Sequence, residues 1–147
     1  MSETPETVEA TYAGVEFRST SERTFAEALD RAGLLWSYEP GPQTVVARDG
    51  VQHVYWPDFW LLTVGCWLEV KGPANRRLWK AESLNAAGPH QVLLGRAANF
   101  GAHGTASLLI ETLAPEQPLP AVFTSSAWQN ASTSVLWPRP PIRGLIA

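Results

Sequence analysis

Strands alternating with helices predict an α/β domain in which a central mixed sheet is flanked by helices. Three observations carry this. Cys66-Trp67-Leu68-Glu69-Val70-Lys71 alternates with the two-residue period of a strand, so Glu69 and Lys71 share one face while Leu68 and Val70 take the other. Ser19-Thr20-Ser21-Glu22 has the form of a capping box, and Phe25, Ala28, Leu29 and Ala32 follow it at helical spacing. A second helical stretch after Lys71 leads to the apolar run Gln91 to Gly95, the return strand of a βαβ unit.

The elements follow in order. Met1 to Tyr12 is a flexible, acidic N-terminal segment rich in Glu and Thr. Helix one spans about Thr20 to Ala32, with Gly33 closing it, and Leu34 to Tyr38 is a strand. Glu39-Pro40-Gly41-Pro42 forces a loop, after which Thr44 to Ala47 and Val51 to Trp56 flank Arg48-Asp49-Gly50 as a hairpin. Pro57 fixes the backbone immediately before Asp58, as suits a strand bend, and a turn at Thr63-Val64-Gly65 joins Asp58-Phe59 to the Cys66 strand. Pro73 starts a helix carrying Leu78, Trp79 and Leu84 that stops near Gly88. A core over residues 13–96 is thereby outlined. Residues 97–147 add a strand from Thr105 to Leu113, edge strands at Ala121 to Phe123 and Ser134 to Trp137, and a Pro- and Trp-rich tail packed on the same domain.

The informative chemistry lies in Tyr55-Trp56-Pro57-Asp58-Phe59 followed by Leu68-Glu69-Val70-Lys71-Gly72. A tight hairpin brings Asp58, Glu69 and Lys71 together. Buried carboxylates are costly unless paired or metal-bound, and two of them with a backbone carbonyl suit Mg2+. Lys71 would add a positive charge beside a phosphate. Glu22, one turn before Phe25 on the same stripe, is carried towards the sheet as a third carboxylate. The bland alternatives stay open at this point: a surface ion-pair ladder for Glu69 and Lys71, and a Glu that complements the helix dipole for Glu22.

The order Phe17-Arg18-Ser19, Glu22, Gly33, Tyr38-Glu39, Tyr55-x-Pro57-Asp58-Phe59-x-Leu61, Gly65, Leu68-Glu69-Val70-Lys71-Gly72 resembles the PD-(D/E)XK nuclease superfamily. Within it the chain is similar to the phage endonuclease I group of Holliday-junction resolving enzymes, and more distantly to the nuclease subunits of bacterial transposases. The resemblance covers about Phe17 to Leu94. It implies a restriction-endonuclease-like core and a Mg2+-dependent DNA endonuclease, with Mn2+ as a substitute, acting on branched or nicked DNA of phage or mobile-element origin. It also implies catalytic roles for Glu22, Asp58, Glu69 and Lys71, with Asp58, Glu69 and Glu22 as metal ligands and Lys71 orienting or activating water. Members of the resolving group form intertwined dimers through a long bridge. Here the matching stretch, Glu39 to Trp56, holds a Pro-Gly break and an Asp-Gly turn that favour a hairpin within one chain. A nicking or end-processing nuclease therefore competes with a junction resolver, and a homodimer is left open. The alternative from another class is a nuclease-fold binding or assembly module whose C-terminal region meets a protein partner.

Net charge is −3, unevenly spread: residues 1–70 hold 11 acidic and 4 basic side chains, residues 71–147 hold 3 and 7. Arg76, Arg77 and Lys80 on the helix after Lys71, together with Arg18, are the candidate nucleic-acid contacts, with Arg96, Arg139 and Arg143 further along. A solvated helix face is the competing reading for Arg76 and Arg77. Trp128 and Trp137 could stack on unpaired bases or be buried. Cys66 is the single cysteine, so no internal disulfide forms, and Cys66, His53, His90 and His103 lack zinc spacing. His53 and His103 could line a nucleic-acid path. No membrane span or signal peptide is legible, and a cytoplasmic protein, in a host cell if phage-encoded, is expected.

Overall fold

The computed structural model describes residues 11–72, 77–98, 105–133 and 135–136. The chain is α/β. Strands β1 (Thr11–Tyr12) and β2 (Val15–Glu16) form a short antiparallel hairpin turned by Ala13 and Gly14, both at positive φ. Thr11 and Tyr12 are therefore part of a paired strand rather than of the flexible head expected up to residue 12. Helix α1 (Thr20–Arg31) follows, then β3 (Trp36–Tyr38), a separate hairpin of β4 (Gln43–Val46) and β5 (Gln52–Tyr55), and the site-bearing strands β6 (Phe59–Leu61) and β7 (Cys66–Lys71). Helix α2 (Trp79–Ala87) crosses back to β8 (Val92–Ala98), which is succeeded by β9 (Thr105–Thr112), helix α3 (Ser126–Ser132) and β10 (Val135–Leu136).

Among the described residues, six strands form one mixed sheet in the order β10-β9-β8-β7-β6-β3. Only β7 and β8 pair parallel, as the βαβ reading requires; the other ladders are antiparallel. β8 runs through Arg96, so the border expected there between core and C-terminal part falls inside a strand. Helix α1 covers one face through Phe25, Ala28 and Leu29, which pack with Phe59, Leu68, Leu93, Leu108 and Trp128. The opposite face carries a smaller cluster in which Val45 and Tyr55 of the β4–β5 hairpin meet Ala81 and Leu84 of α2 and Val92 of β8.

Local chemistry explains the boundaries. Ser19 caps α1 by accepting from the Glu22 N–H at 3.2 Å, and Gly33 at φ +78° takes the chain out of the helix. The Asp49-Gly50 turn is made as expected, with Gly50 at positive φ and the Asp49 carboxylate accepting from the Val51 N–H. Helix α2 starts only at Trp79, and Pro73, its expected first residue, lies outside the described residues. Of the three apolar side chains expected on this helix, Leu78 precedes its first turn, Trp79 is exposed and Leu84 is buried; Ala81 and Asn85 complete the buried face. Asn85 is held inside by polar pairing, its Oδ1 accepting from the Val92 N–H at 2.8 Å and its Nδ2 donating to Gln117.

The C-terminal part departs most from expectation. Ala121–Thr124 is a 3-10 turn, not an edge strand, and α3 was not foreseen. Ser125 starts that helix by accepting from the Trp128 N–H, and Arg31 of α1 donates to the Ala131 carbonyl at 2.7 Å. The edge strand near Ser134 to Trp137 is present as β10. Trp128 is only 3 % exposed and meets Phe123 edge-on at 5.2 Å, so it is core rather than a platform for bases; Trp137 lies outside the described residues.

Gly95 sits where α1 crosses the sheet. A Cβ there would lie 2.9 Å from two ring atoms of Phe25, which is itself fully buried. Gly95→Ala is expected to cost about 1–3 kcal/mol through overpacking, read as a lowered urea midpoint; an unchanged midpoint would mean that Phe25 can retreat.

Candidate functional site

The pairing of β6 with β7 sets Phe59 against Leu68, and carrying that register back one residue sets Asp58 against Glu69. On the other side, Tyr38 pairs with Phe59 and the Glu39 N–H donates to the Asp58 carbonyl at 2.7 Å. Asp58 therefore lies between two neighbouring strands at the mouth of β6. Pro57, wholly buried, leads into it. The Asp58 Oδ2 atom accepts from the Val70 N–H at 2.8 Å, which fixes its carboxyl against the Glu69–Lys71 segment.

Three of the expected site residues are buried carboxylates: Glu22 is 6 %, Asp58 9 % and Glu69 6 % exposed. Burial is at odds with a surface ladder for Glu69, whereas Glu22 stands in the first turn of α1, where a carboxylate complements the dipole. Glu22 also accepts at Oε1 from the Arg18 N–H at 3.0 Å and from the Tyr38 hydroxyl at 2.6 Å. Glu69 accepts at Oε1 from the Tyr55 hydroxyl at 2.5 Å, and its Oε2 lies 3.1 Å from the Lys71 ammonium.

Glu22 arrives on α1, which covers one sheet face, whereas Tyr55 and Glu69 belong with the α2 face. Asp58 senses both. Burial, then the Glu69 charge, then the Glu22 charge push its carboxyl up to about 9; the Val70 N–H opposes this, and a hydrogen bond with the Glu22 carboxyl adds to it. Tyr38 and Tyr55 are driven far above the ordinary phenol range, chiefly by burial with the adjoining carboxylates adding to it, so both remain hydroxyl donors. Burial also raises the Cys66 thiol, which leaves it an inert core group.

The basic candidates fare differently. Arg18 pairs with Glu39 at 2.7 Å beside the Glu22 end of the site. Arg77 precedes α2 rather than riding on it and is exposed. Lys80 donates to the Val54 carbonyl at 3.0 Å, tying α2 to the β4–β5 hairpin. Arg96 stands opposite Lys71 in the β7–β8 ladder and donates to the Gly72 carbonyl. Arg76, Arg139, Arg143 and His103 lie outside the described residues. His53 meets Trp79 edge-on at 5.1 Å, and His90 meets Trp60 at 5.0 Å; both pack against aromatic rings.

Tyr38 and Tyr55 are the residues that sequence reasoning left out of the site. Both were quoted in the family resemblance, yet their hydroxyl partners lie 16 and 14 residues away and follow from no local pattern. Tyr55 shares its β5 face with His53, and that alternation is the one signal that could have turned it inward.

Among the described residues no three His, Cys, Asp or Glu side chains converge into a ready metal cage. The donor set nevertheless fits Mg2+, which binds through one or two carboxylates and retains water. A divalent cation placed beside the buried Asp58 carboxyl would favour its charged form. No family model matches the chain, and no curated protein matches it significantly. No helix among the described residues is long and apolar enough to cross a membrane.

Without a cation the Asp58 carboxyl holds its proton more tightly folded than unfolded, so its contribution to stability is full below 3.8 and is lost as pH rises towards about 9. Asp58→Asn keeps the acceptor for Val70. It should stabilise the metal-free protein by about 0.5–2 kcal/mol, more at about pH 8 than at about pH 5 in thermal unfolding with chelator; a lower melting temperature at both would contradict the assignment.

Proposed function

We propose that this chain is a metal-dependent DNA endonuclease of the PD-(D/E)XK kind. The observation that carries the reading is the meeting of Asp58 with Glu69 across the β6–β7 register, with the Lys71 ammonium 3.1 Å from Glu69 and Glu22 turned in from α1. Three charged groups then lie at one end of one hairpin, with Glu22 brought beside Asp58 by α1, in the order of that superfamily. The arrangement is an economical one for phosphodiester hydrolysis.

Asp58 and Glu69, with Glu22 beside them, are the residues that would hold Mg2+ or Mn2+. When bound, such an ion lowers the pKa of water, holds a phosphate in line and stabilises charge on the leaving oxygen. Lys71, kept next to Glu69, presents a cation to the phosphate and donates a hydrogen bond to the attacking water. Burial of the carboxylates excludes competing solvent and strengthens each contact. The β4–β5 hairpin folds back within the chain where a long bridge to a second protomer would run, which favours a nuclease that nicks or processes one strand at a time. Branched DNA remains within the proposal. Exposed Val46, Val51, Val54 and Trp56 on the hairpin favour a second reading, an assembly module in which a protein covers this face.

The test is cleavage of labelled linear duplex, single strand, nicked duplex and four-way junction with Mg2+, Mn2+ or chelator. Metal-dependent cutting should fall at least ~100-fold in Lys71→Ala while DNA binding persists. Cutting by neither protein with either metal would favour the assembly module, in which Asp58→Ala leaves biological activity intact.

A further inference from the structure

Trp79 presents an indole that is held in place and still 42 % exposed, at the first turn of α2. Two side chains secure that turn. Lys80 donates to the Val54 carbonyl and Ser83 to the Val46 carbonyl, each at 3.0 Å, so the helix is tied to both strands of the β4–β5 hairpin. His53 of β5 meets the Trp79 ring edge-on at 5.1 Å, and the Lys80 ammonium lies 5.7 Å from the ring centre. Arg77, two residues earlier, is exposed as well. Core packing does not account for the indole, because the buried cluster beneath α2 is built from Ala81 and Leu84 with Val45, Tyr55 and Val92.

The cluster adjoins the carboxylate site. His53 and Tyr55 take the same face of β5, about 7 Å apart along the strand, and the Tyr55 hydroxyl donates to Glu69 Oε1. A line from Glu69 thus runs through Tyr55 and His53 to Trp79. An aromatic ring with cations around it grips a nucleic-acid strand without reading its sequence, the ring stacking on a base while the cations meet phosphates. Stacking requires a base whose face is uncovered. Inside a duplex both faces are taken by neighbouring base pairs, so a ring of this kind selects an unpaired nucleotide. We infer that Trp79 is a base-stacking residue, with Lys80 and Arg77 meeting the adjoining phosphates, and that the DNA strand led to the Asp58–Glu69 site is unpaired where it passes α2. This names the substrate class of the proposed nuclease site, single-stranded or flapped DNA rather than intact duplex, and so rests on that reading.

The test is fluorescence anisotropy of the full chain with a labelled single-stranded oligonucleotide, the same strand made abasic, and its blunt duplex, in chelator so that nothing is cut. Wild type should bind the normal strand about ten-fold more tightly than the abasic strand. Trp79→Ala should lose about that factor on the normal strand and leave abasic and duplex binding unchanged, whereas Trp79→Phe, which keeps a ring, should recover most of it. The abasic comparison needs no substitution, so it stands whether or not the alanine variant folds. A wild type that binds the two strands equally or binds neither, or a Trp79→Ala loss of the same size on the abasic strand, would overturn the stacking role. Cutting with Mg2+ or Mn2+ judges the nuclease reading separately. Metal-dependent cutting without the base preference would leave that reading standing and remove this one; binding that depends on Trp79 with no cutting by either metal would uphold the stacking and overturn the nuclease.

Discussion

The pairing register of β6 and β7 governs this molecule. Side chains alternate along a strand, so a slip of one residue would turn Glu69 to the wrong face and take Asp58 from it. Several contacts hold the register. Trp60 and Trp67, paired directly, meet at 4.7 Å two residues from Asp58 and Glu69; Gly65 supplies the positive φ of the connecting turn; and Phe59 and Leu68 are wholly buried on the α1 face. Aromatic pairing and burial therefore position the charged groups, and the charges themselves oppose the arrangement.

That opposition is distributed. Each carboxylate has its own donors: the Val70 N–H for Asp58, the Tyr38 hydroxyl and Arg18 N–H for Glu22, the Tyr55 hydroxyl and Lys71 for Glu69. Hydrogen bonds to charged groups are worth more than neutral ones, which offsets part of the desolvation. Three acidic groups nonetheless share one region, with Lys71 in contact with Glu69, and Asp58 answers the crowding with a raised affinity for its proton. Active sites commonly carry local conflicts of this kind, maintained by a core that is locally consistent.

The legibility of the sequence followed the range of the interaction. The alternation from Cys66 to Lys71, the Ser19 cap and the Asp49-Gly50 turn are encoded within a few residues, and β7, α1 and the β4–β5 hairpin stand where those signals put them. Asp58, Glu69, Lys71 and Glu22 came into view because their elements did. Helix α3 was hidden by its seven-residue length and by Ser and Asn in it, which favour caps and turns over helix interiors. The space under α2 is filled by Ala81, Leu84 and Asn85, and the place of Asn85 there depends on its distant partners Val92 and Gln117. Lys80 also ties α2 to a carbonyl of the neighbouring hairpin, a contact no local pattern expresses. The tyrosine donors depend on chain crossings that local periodicity does not express.

The notch left by Gly95 bears on more than packing. Phe25 sits over it, one helical turn from Glu22, so the helix is indexed to the central strand β8 through an apolar contact. For Glu22 to move away from Asp58, α1 would have to slide, and sliding would drag the Phe25 ring off its seat and through Leu68. The core thus works as a clamp under load. Electrostatic pressure at Glu22 is borne by shape one turn further along the same helix.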